Sequence, residues 1–349
     1  MNSAYFKEIT LSGNAAHRGR LYGEQLGSEI AENIAYYREI FNLPDAKIMA
    51  LAEDFRTIIE NFNPNYMIEI NEMADAAKLD PLWIVALNSR TEILSHGGLA
   101  ENPALMATEC TSLCFPDVSV LGQTWDWGKP LERLSVVLRI ESEDGHIITT
   151  MTEAGIIGKI GMNNSGLGVC LNILKLGEKL DGVPIHIMLR GILDCRSIEE
   201  AQTLIANNDT GKSSNVLVAD GLGNCFDTEF AGAESFTMAP VDGVFIHTNH
   251  YLGKPINSPD DPLFNSSYAR FGKAEDSANG GSDKSLESML AILSDRTNSE
   301  YPIFRPYIPD ISVKELGTVF TIAMDLSNRE MHVRKGAESN APFKVYTVN

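Results

Sequence analysis

The run MATECTSLCF, residues 106–115, places Cys110 directly before a Thr-Ser pair and puts a second cysteine, Cys114, four residues further on. A cysteine thiolate attacks carbonyl carbon, and the thioester it forms is readily resolved, provided a base is at hand. Cleavage of the bond between Glu109 and Cys110 would give Cys110 a free α-amine, whose intrinsic pKa of about 7.7–8.0 suits a base acting on its own thiol. Thiol attack on the Glu109 carbonyl, an N-to-S acyl shift and hydrolysis would make that terminus without another protease. The plain alternative is a buried strand cysteine, and Cys-Thr-Ser alone does not separate the two readings.

Other residue types with chemical use lie downstream. Asp126 sits between two tryptophans in LGQTWDWGKP, expected at a turn after the first hairpin, where it would either serve the site or cap the turn. Glu153 lies in MTEAGIIGKIG, His247, Asn249 and His250 in VFIHTNHY, and Arg305 in NSEYPIFRPY. The spacing of His247 and His250 suggests a zinc pair, but no second cluster completes four ligands, so no metal is expected. Cys110 and Cys114, on one face of a strand, are either a redox pair or packing neighbours.

Composition narrows the classes. With 349 residues, 44% hydrophobic and 21% charged, the chain can bury a large core. A formal net charge of −19 repels phosphate backbones and anionic lipid surfaces, which argues against nucleic-acid and membrane partners. The N-terminal MNSAYFKEITLSGNAAHRGR lacks the pattern of a secretory signal, and no apolar run reaches the length of a membrane helix. The five scattered cysteines form neither a disulfide framework nor a zinc ladder. A cytoplasmic location is expected.

The elements that must position these residues are legible in outline. After a short strand-like start, residues 16–100 read as helix, punctuated by Pro64 and Pro81, and Gly97, Gly98, Asn102 and Pro103 then give an exposed connector. From Cys110 strands follow in consecutive hairpins: LSVVLRIES with IITTMTEAGIIG, a pair around Asn163, Asn164 and Gly166, then SNVLVADGLGNCFDTEF and FTMAPVDGVFIHTNH, and finally TVFTIAMDLSNREMHVRKG. Helices are expected over 184–208, 265–277 and 285–294. Grouped helices and consecutive hairpins predict an α+β fold, a four-layer αββα sandwich of two stacked antiparallel sheets, with residues 1–349 forming one domain.

Taken together and in order, CT, GQTWD, TEAGIIGK, GVP, HTNH and YP followed by an arginine resemble the acyl-coenzyme A:6-aminopenicillanic acid acyltransferase family, in the cysteine branch of the N-terminal-nucleophile hydrolases. The resemblance runs from about Gly19 to the final hairpin. It implies that Cys110 is nucleophile and self-cleavage point, dividing the chain into a mostly helical α chain, 1–109, retained as a subunit, and a β chain, 110–349. It also implies that Asn249 donates its amide to the oxyanion and that Asp126 and Arg305 line the substrate pocket. Glu153 and His247 are candidates for support. Glu109 stands where the family often has glycine, Thr124 replaces an asparagine, and the segment before Arg305 is one residue short.

The expected activity is hydrolysis of the amide bond of a small N-acylated amine or amino-acid-like amide through a Cys110 thioester. The alternative is acyl-coenzyme A-dependent N-acylation, in which the thioester is a substrate and no cofactor is held. The α and β chains would stay associated, and a higher oligomer is compatible with the sequence. Rival readings of other classes are an uncleaved binding or structural module and a thiol redox protein.

Overall fold

A computed structural model describes residues 3–97, 110–174, 182–208, 212–232, 234–254, 256–280 and 283–349. Strand β1 (Lys7–Ser12) leads into helices α1 (Ala15–Phe41), α2 (Asp45–Phe62), α3 (Pro64–Ala77), α4 (Pro81–Asn88) and α5 (Arg90–His96). From Cys110 onward come β2 (Thr111–Phe115), β3 (Val120–Gly128), the single turn α6 (Leu131–Leu134), β4 (Ser135–Glu141), β5 (Ile147–Glu153), β6 (Ile160–Asn163) and β7 (Gly168–Ile173). Helices α7 (Ile185–Asp194) and α8 (Ile198–Ala206) precede β8 (Lys212–Ala219), β9 (Cys225–Gly232), β10 (Glu234–Met238) and β11 (Phe245–His247). The chain continues through α9 (Asn265–Asn279), α10 (Leu286–Ile292), β12 (Ile308–Asp310), β13 (Lys314–Asp325), β14 (Glu330–Lys335) and β15 (Phe343–Thr347).

Local chemistry fixes half of the helix starts. Asn14, Asn63, Asp80, Ser197 and Ser285 each accept a backbone N–H of the first turn, and Pro64 and Pro81 follow two of these caps at the position where a missing N–H costs nothing. Helix α1 then lies directly on α3. At Gly19 and Gly23 a Cβ would stand 2.2 and 2.3 Å from the carbonyl oxygens of Glu69 and Met73, so this backbone approach requires glycine.

One sheet has eight strands in the order β1-β4-β5-β6-β7-β8-β9-β10, the other seven, β11-β2-β3-β13-β14-β15 with β12 on β13. They face each other through β2 and β3 against β7 and β8. Helix α7 lies along the first sheet with α8 packed against it, α9 and α10 cover the second, and a secondary apolar cluster of Leu113, Ile246, Ala274, Ala278 and Met289 fills the latter contact. The α+β sandwich is therefore the fold expected from the sequence.

Three local expectations fail. The VDGV turn forms as read, with Asp242 and Gly243 both at positive φ and a bridge between Val241 and Val244, but its arms separate at once. The exposed β10 pairs with β9 in one sheet, whereas the buried β11 joins β2 in the other. Strand β5 ends at Glu153, so AGIIGK is a buried connection and not a strand. Strand β1 runs parallel to β4 inside an otherwise antiparallel sheet.

Candidate active site

The ladder between β2 and β3 runs from Thr111↔Thr124 to Phe115↔Val120, which leaves Cys110 at the start of β2, beside Trp125 and Asp126. Asp126 is a fully buried strand residue and not the turn residue expected, because β3 runs on past the end of β2 and continues to pair with β13, Asp126 opposite Thr318. Thr124, in place of the family's asparagine, accepts the Thr111 N–H through its hydroxyl at 3.3 Å and so closes this end of the ladder. Cys110 is 3% exposed. Burial, and then the Asp126 carboxyl, push its thiol up to about 12 in the intact chain, although the Asp126 backbone N–H points at the sulfur. A thiol so placed stays protonated at neutral pH and needs a base.

Arg270 of α9 assembles the site. It is fully buried; Nη1 donates to the Cys110 carbonyl at 2.6 Å and to Thr111 Oγ1 at 2.9 Å, and Nη2 donates to Asn249 Oδ1 at 2.9 Å. Because the guanidinium claims the acceptor end of Asn249, the orientation of that amide is fixed, and its NH2 faces the Ile173 carbonyl at 3.0 Å. Ile173, Trp125, Asp126, Trp127 and Arg90 line the pocket beside Cys110, a cavity of about 20 Å³. That is room for roughly one water molecule. The Trp127 indole N–H has no acceptor among the described residues.

Arg305 is buried, 6% exposed, and not at the surface. Its Nη2 donates to Ser266 Oγ at 3.2 Å, the hydroxyl that also accepts Arg270 Nε, so Arg305 stands one side chain behind Arg270. Glu109, the other half of the expected cleavage point, lies outside the described residues. Cys114 packs in the core with its thiol against Cys225 of β9 and not against Cys110.

Glu153 anchors a buried charge cluster under the pocket. Oε1 accepts from Arg90 Nη2 at 2.9 Å and from Lys159 Nζ at 2.7 Å, and Oε2 accepts from the Tyr37 hydroxyl at 2.6 Å. Burial would raise its pKa, but the adjoining Arg90 and Lys159 outweigh that and hold it well below the carboxylate range. Lys159 Nζ lies 3.1 Å from the centre of the Trp125 ring, and Arg90 stands over the rings of Tyr37, Trp125 and Trp127. The connection between Glu153 and Lys159 is clasped by N-terminal side chains. Tyr22 OH accepts the Gly155 N–H, Asn33 donates to the Ala154 carbonyl, and Asn88 both donates to Gly155 O and accepts from Ile157 N–H.

Burial pulls Lys159 down to about 7, against the upward pull of Glu153. An unfolded lysine titrates near 10.4. Between these values the unfolded chain binds a proton that the folded chain does not, so this residue's contribution to stability rises with pH, by up to about 1.4 kcal/mol per unit. Denaturant titrations of wild type and Lys159→Met from pH 7 to pH 10 should therefore diverge, the wild type gaining on the variant as pH rises. Parallel curves would remove the lysine's proposed depression.

His247 is fully buried, with Nδ1 2.9 Å from Thr248 O and Nε2 2.8 Å from Glu229 Oε1. Both nitrogens are taken, and among the described residues no group of three or more His, Cys, Asp or Glu could hold a metal ion. No described helix is long and apolar enough to cross a membrane.

Arg270, Arg90 and Lys159 were not singled out by sequence reasoning. For Arg270 a signal exists: Ser266, Arg270, Ala274 and Ala278 recur every four residues and all are buried, so an arginine is written into an apolar helix face.

Residues 115–340 match the family described as acyl-coenzyme A:6-aminopenicillanic acid acyl-transferase. The chain is 28% identical over 340 residues to the 40 kDa form of acyl-coenzyme A:6-aminopenicillanic-acid-acyltransferase from Emericella nidulans, covering 95% of this chain and 93% of that one. Among solved structures, a point mutant of conjugated bile acid hydrolase from Clostridium perfringens superposes with a TM-score of 0.50 at 14% identity, over 69% of this chain and 92% of that one. This likeness supports the fold. A penicillin V acylase from Agrobacterium tumefaciens gives 0.39 at 14% identity, over 65% and 82%.

Proposed function

Because the chain belongs to the acyl-coenzyme A:6-aminopenicillanic acid acyl-transferase family, we propose that it is a self-processing cysteine enzyme that cleaves the amide of a small N-acylated amine through a Cys110 thioester. The observation that carries this reading is the Arg270 contact. One buried cation holds both the carbonyl of the candidate nucleophile and the acceptor end of the candidate oxyanion donor, Asn249.

In this mechanism Cys110 Sγ attacks the Glu109 carbonyl, the C–N bond breaks, and the Cys110 nitrogen takes a proton to become an amine. Water then hydrolyses the Glu109 thioester, leaving a carboxyl on Glu109 and restoring the thiol. Arg270 keeps the new terminus in place by its own carbonyl. The amine, with a pKa near neutrality, removes the proton from a thiol that burial otherwise keeps protonated. The buried Asp126 carboxyl is a partner for the ammonium that results. Thiolate attack on a substrate acyl carbon forms a tetrahedral oxyanion that accepts from Asn249 Nδ2; collapse expels the amine product, protonated by the Cys110 ammonium, and water releases the acid. No cofactor or metal enters this scheme. Asp126, which lines the pocket, is the proposed contact for a substrate's amine; Arg305, behind Arg270, is not brought to the pocket beside Cys110.

The close alternative is transfer, in which an amine in place of water takes the acyl group and acyl-coenzyme A serves as donor; the Emericella relative, an acyltransferase by its description, supports keeping it. The α and β chains are proposed to stay together after cleavage, since Arg90, Tyr37, Asn33 and Asn88 all bind the 153–157 segment. Five free cysteines support a reducing, cytoplasmic setting.

Intact mass of purified protein under denaturing conditions tests processing: pieces of 109 and 240 residues are expected, followed by release of free amine from a panel of N-acylated amines. A single full-length mass with no turnover would sink the reading. Asn249→Ala is expected to lower kcat by about 10²–10³-fold with little change in KM, because the donor meets charge that develops only in the transition state; an effect confined to KM would remove Asn249 from the oxyanion site.

A further inference from the structure

Glu229 lies on β9, fully buried, in the sheet opposite β11. A carboxyl there is costly unless its oxygens are satisfied. Three donors satisfy it: His247 Nε2 at 2.8 Å and the Leu252 N–H at 2.5 Å on Oε1, and the Gly253 N–H at 2.9 Å on Oε2. These donors bracket Asn249, two residues before it and three and four after.

The His247 ring has both nitrogens against acceptors. Thr248 O can only accept, so Nδ1 carries a proton, and Nε2 faces a side chain whose oxygens are already acceptors for two backbone amides. Burial pulls the ring's pKa down, but the Asp227 and Glu229 carboxyls and the Thr248 carbonyl outweigh it and hold it above the usual value, which favours the protonated ring. Asp227, hydrogen-bonded to Asn215, adds a second carboxyl oxygen 4.0 Å from Nε2. The other titratable groups facing this knot are Arg270, on Asn249 Oδ1, and His250, which burial and the neighbouring His247 hold down to about 3 and so neutral. The His247 carbonyl is in turn within 3.5 Å of Ser112 Oγ and Asn172 Nδ2, which ties the knot to β2 and the nucleophile's strand.

We propose that Glu229 is a positioning residue for Asn249: by holding His247 on one side and Leu252 and Gly253 on the other, it fixes the backbone turn that carries the amide, whose side-chain orientation Arg270 sets. This rests on the reading of Asn249 as oxyanion donor. Glu229 touches no reacting atom and acts only through that turn.

The test compares turnover of an N-acylated amine with alkylation of Cys110 by iodoacetamide, a displacement at saturated carbon that develops no oxyanion. Glu229→Gln keeps the shape but cannot accept on both arms. Its kcat should fall about 30-fold, less than the full loss of a donor, with KM and the alkylation rate within about twofold of wild type. Unchanged kcat, or kcat and alkylation falling together, overturns the proposal. If Glu229→Gln does not yield folded, processed enzyme, His247→Gln is measured in the same way with the same two readings. Failure of both variants to fold also overturns it, since a purely positioning role needs a fold that stands without the clamp. Wild-type protein with neither processing nor turnover would instead be a failure of the parent reading, seen before either variant is made.

Discussion

Replacing Cys110 with alanine is expected to abolish processing and to lower turnover by about 10³-fold or more, to whatever residual rate binding and the oxyanion donor alone sustain. The expectation follows from the proposed mechanism, in which the site has one nucleophile whose base is its own amine. Arg270 and Asn249 remain, but they stabilise charge and cannot form the thioester. Stability should change by no more than about 1 kcal/mol, because only one sulfur leaves a packed position. Cys114→Ala, whose thiol faces Cys225, should leave turnover near wild type. Equal sensitivity at both cysteines, with no cleavage in the wild type, would favour a thiol redox protein; full function in Cys110→Ala would favour a binding module.

The largest expected effect on stability is at Glu153. Removing its side chain with alanine leaves Arg90 and Lys159 buried without their counter-charge, and the Tyr37 hydroxyl without its acceptor. Breaking one side of a buried ion pair typically costs about 3–5 kcal/mol, most of it the penalty of the charge left behind. Denaturant unfolding, carried out in the unprocessed Cys110→Ala background so that one chain is compared with one chain, should show that loss. Processing of Glu153→Ala with the native cysteine should also slow, since Lys159 packs under Trp125 at the pocket wall. A loss below about 1 kcal/mol would mean that water enters and solvates the cluster, and the cluster would then be no internal support.

The candidate nucleophile Cys110, its strand, and the candidates Asp126 and Asn249 were singled out in the chain because each sits in a short motif that, taken with the others in order, resembles a known family. Periodicity gave the helices and the paired strands, since burial on one face writes the 3.6 or 2 repeat directly into the sequence. It did not give the pairing partners. The VDGV turn forms as its Asp-Gly predicts, yet β10 and β11 part into different sheets, because which strand completes an edge depends on the sheets already in place. The AGIIGK run looks like strand by composition; its backbone groups are instead bound by Tyr22, Asn33 and Asn88, more than sixty residues away.

The sequence by itself thus determined the layered architecture, a periodic property of residue type, and pointed to the class of chemistry through an ordered set of motifs that resembles a known family. Only the tertiary structure decided that a helix-borne Arg270 joins Cys110 to Asn249, that Arg305 stands behind it through Ser266, and that Glu153 and Glu229 are internal counter-charges. A buried charge is specified by its partner, and a partner brought from a distant segment leaves no spacing in the chain from which it can be read.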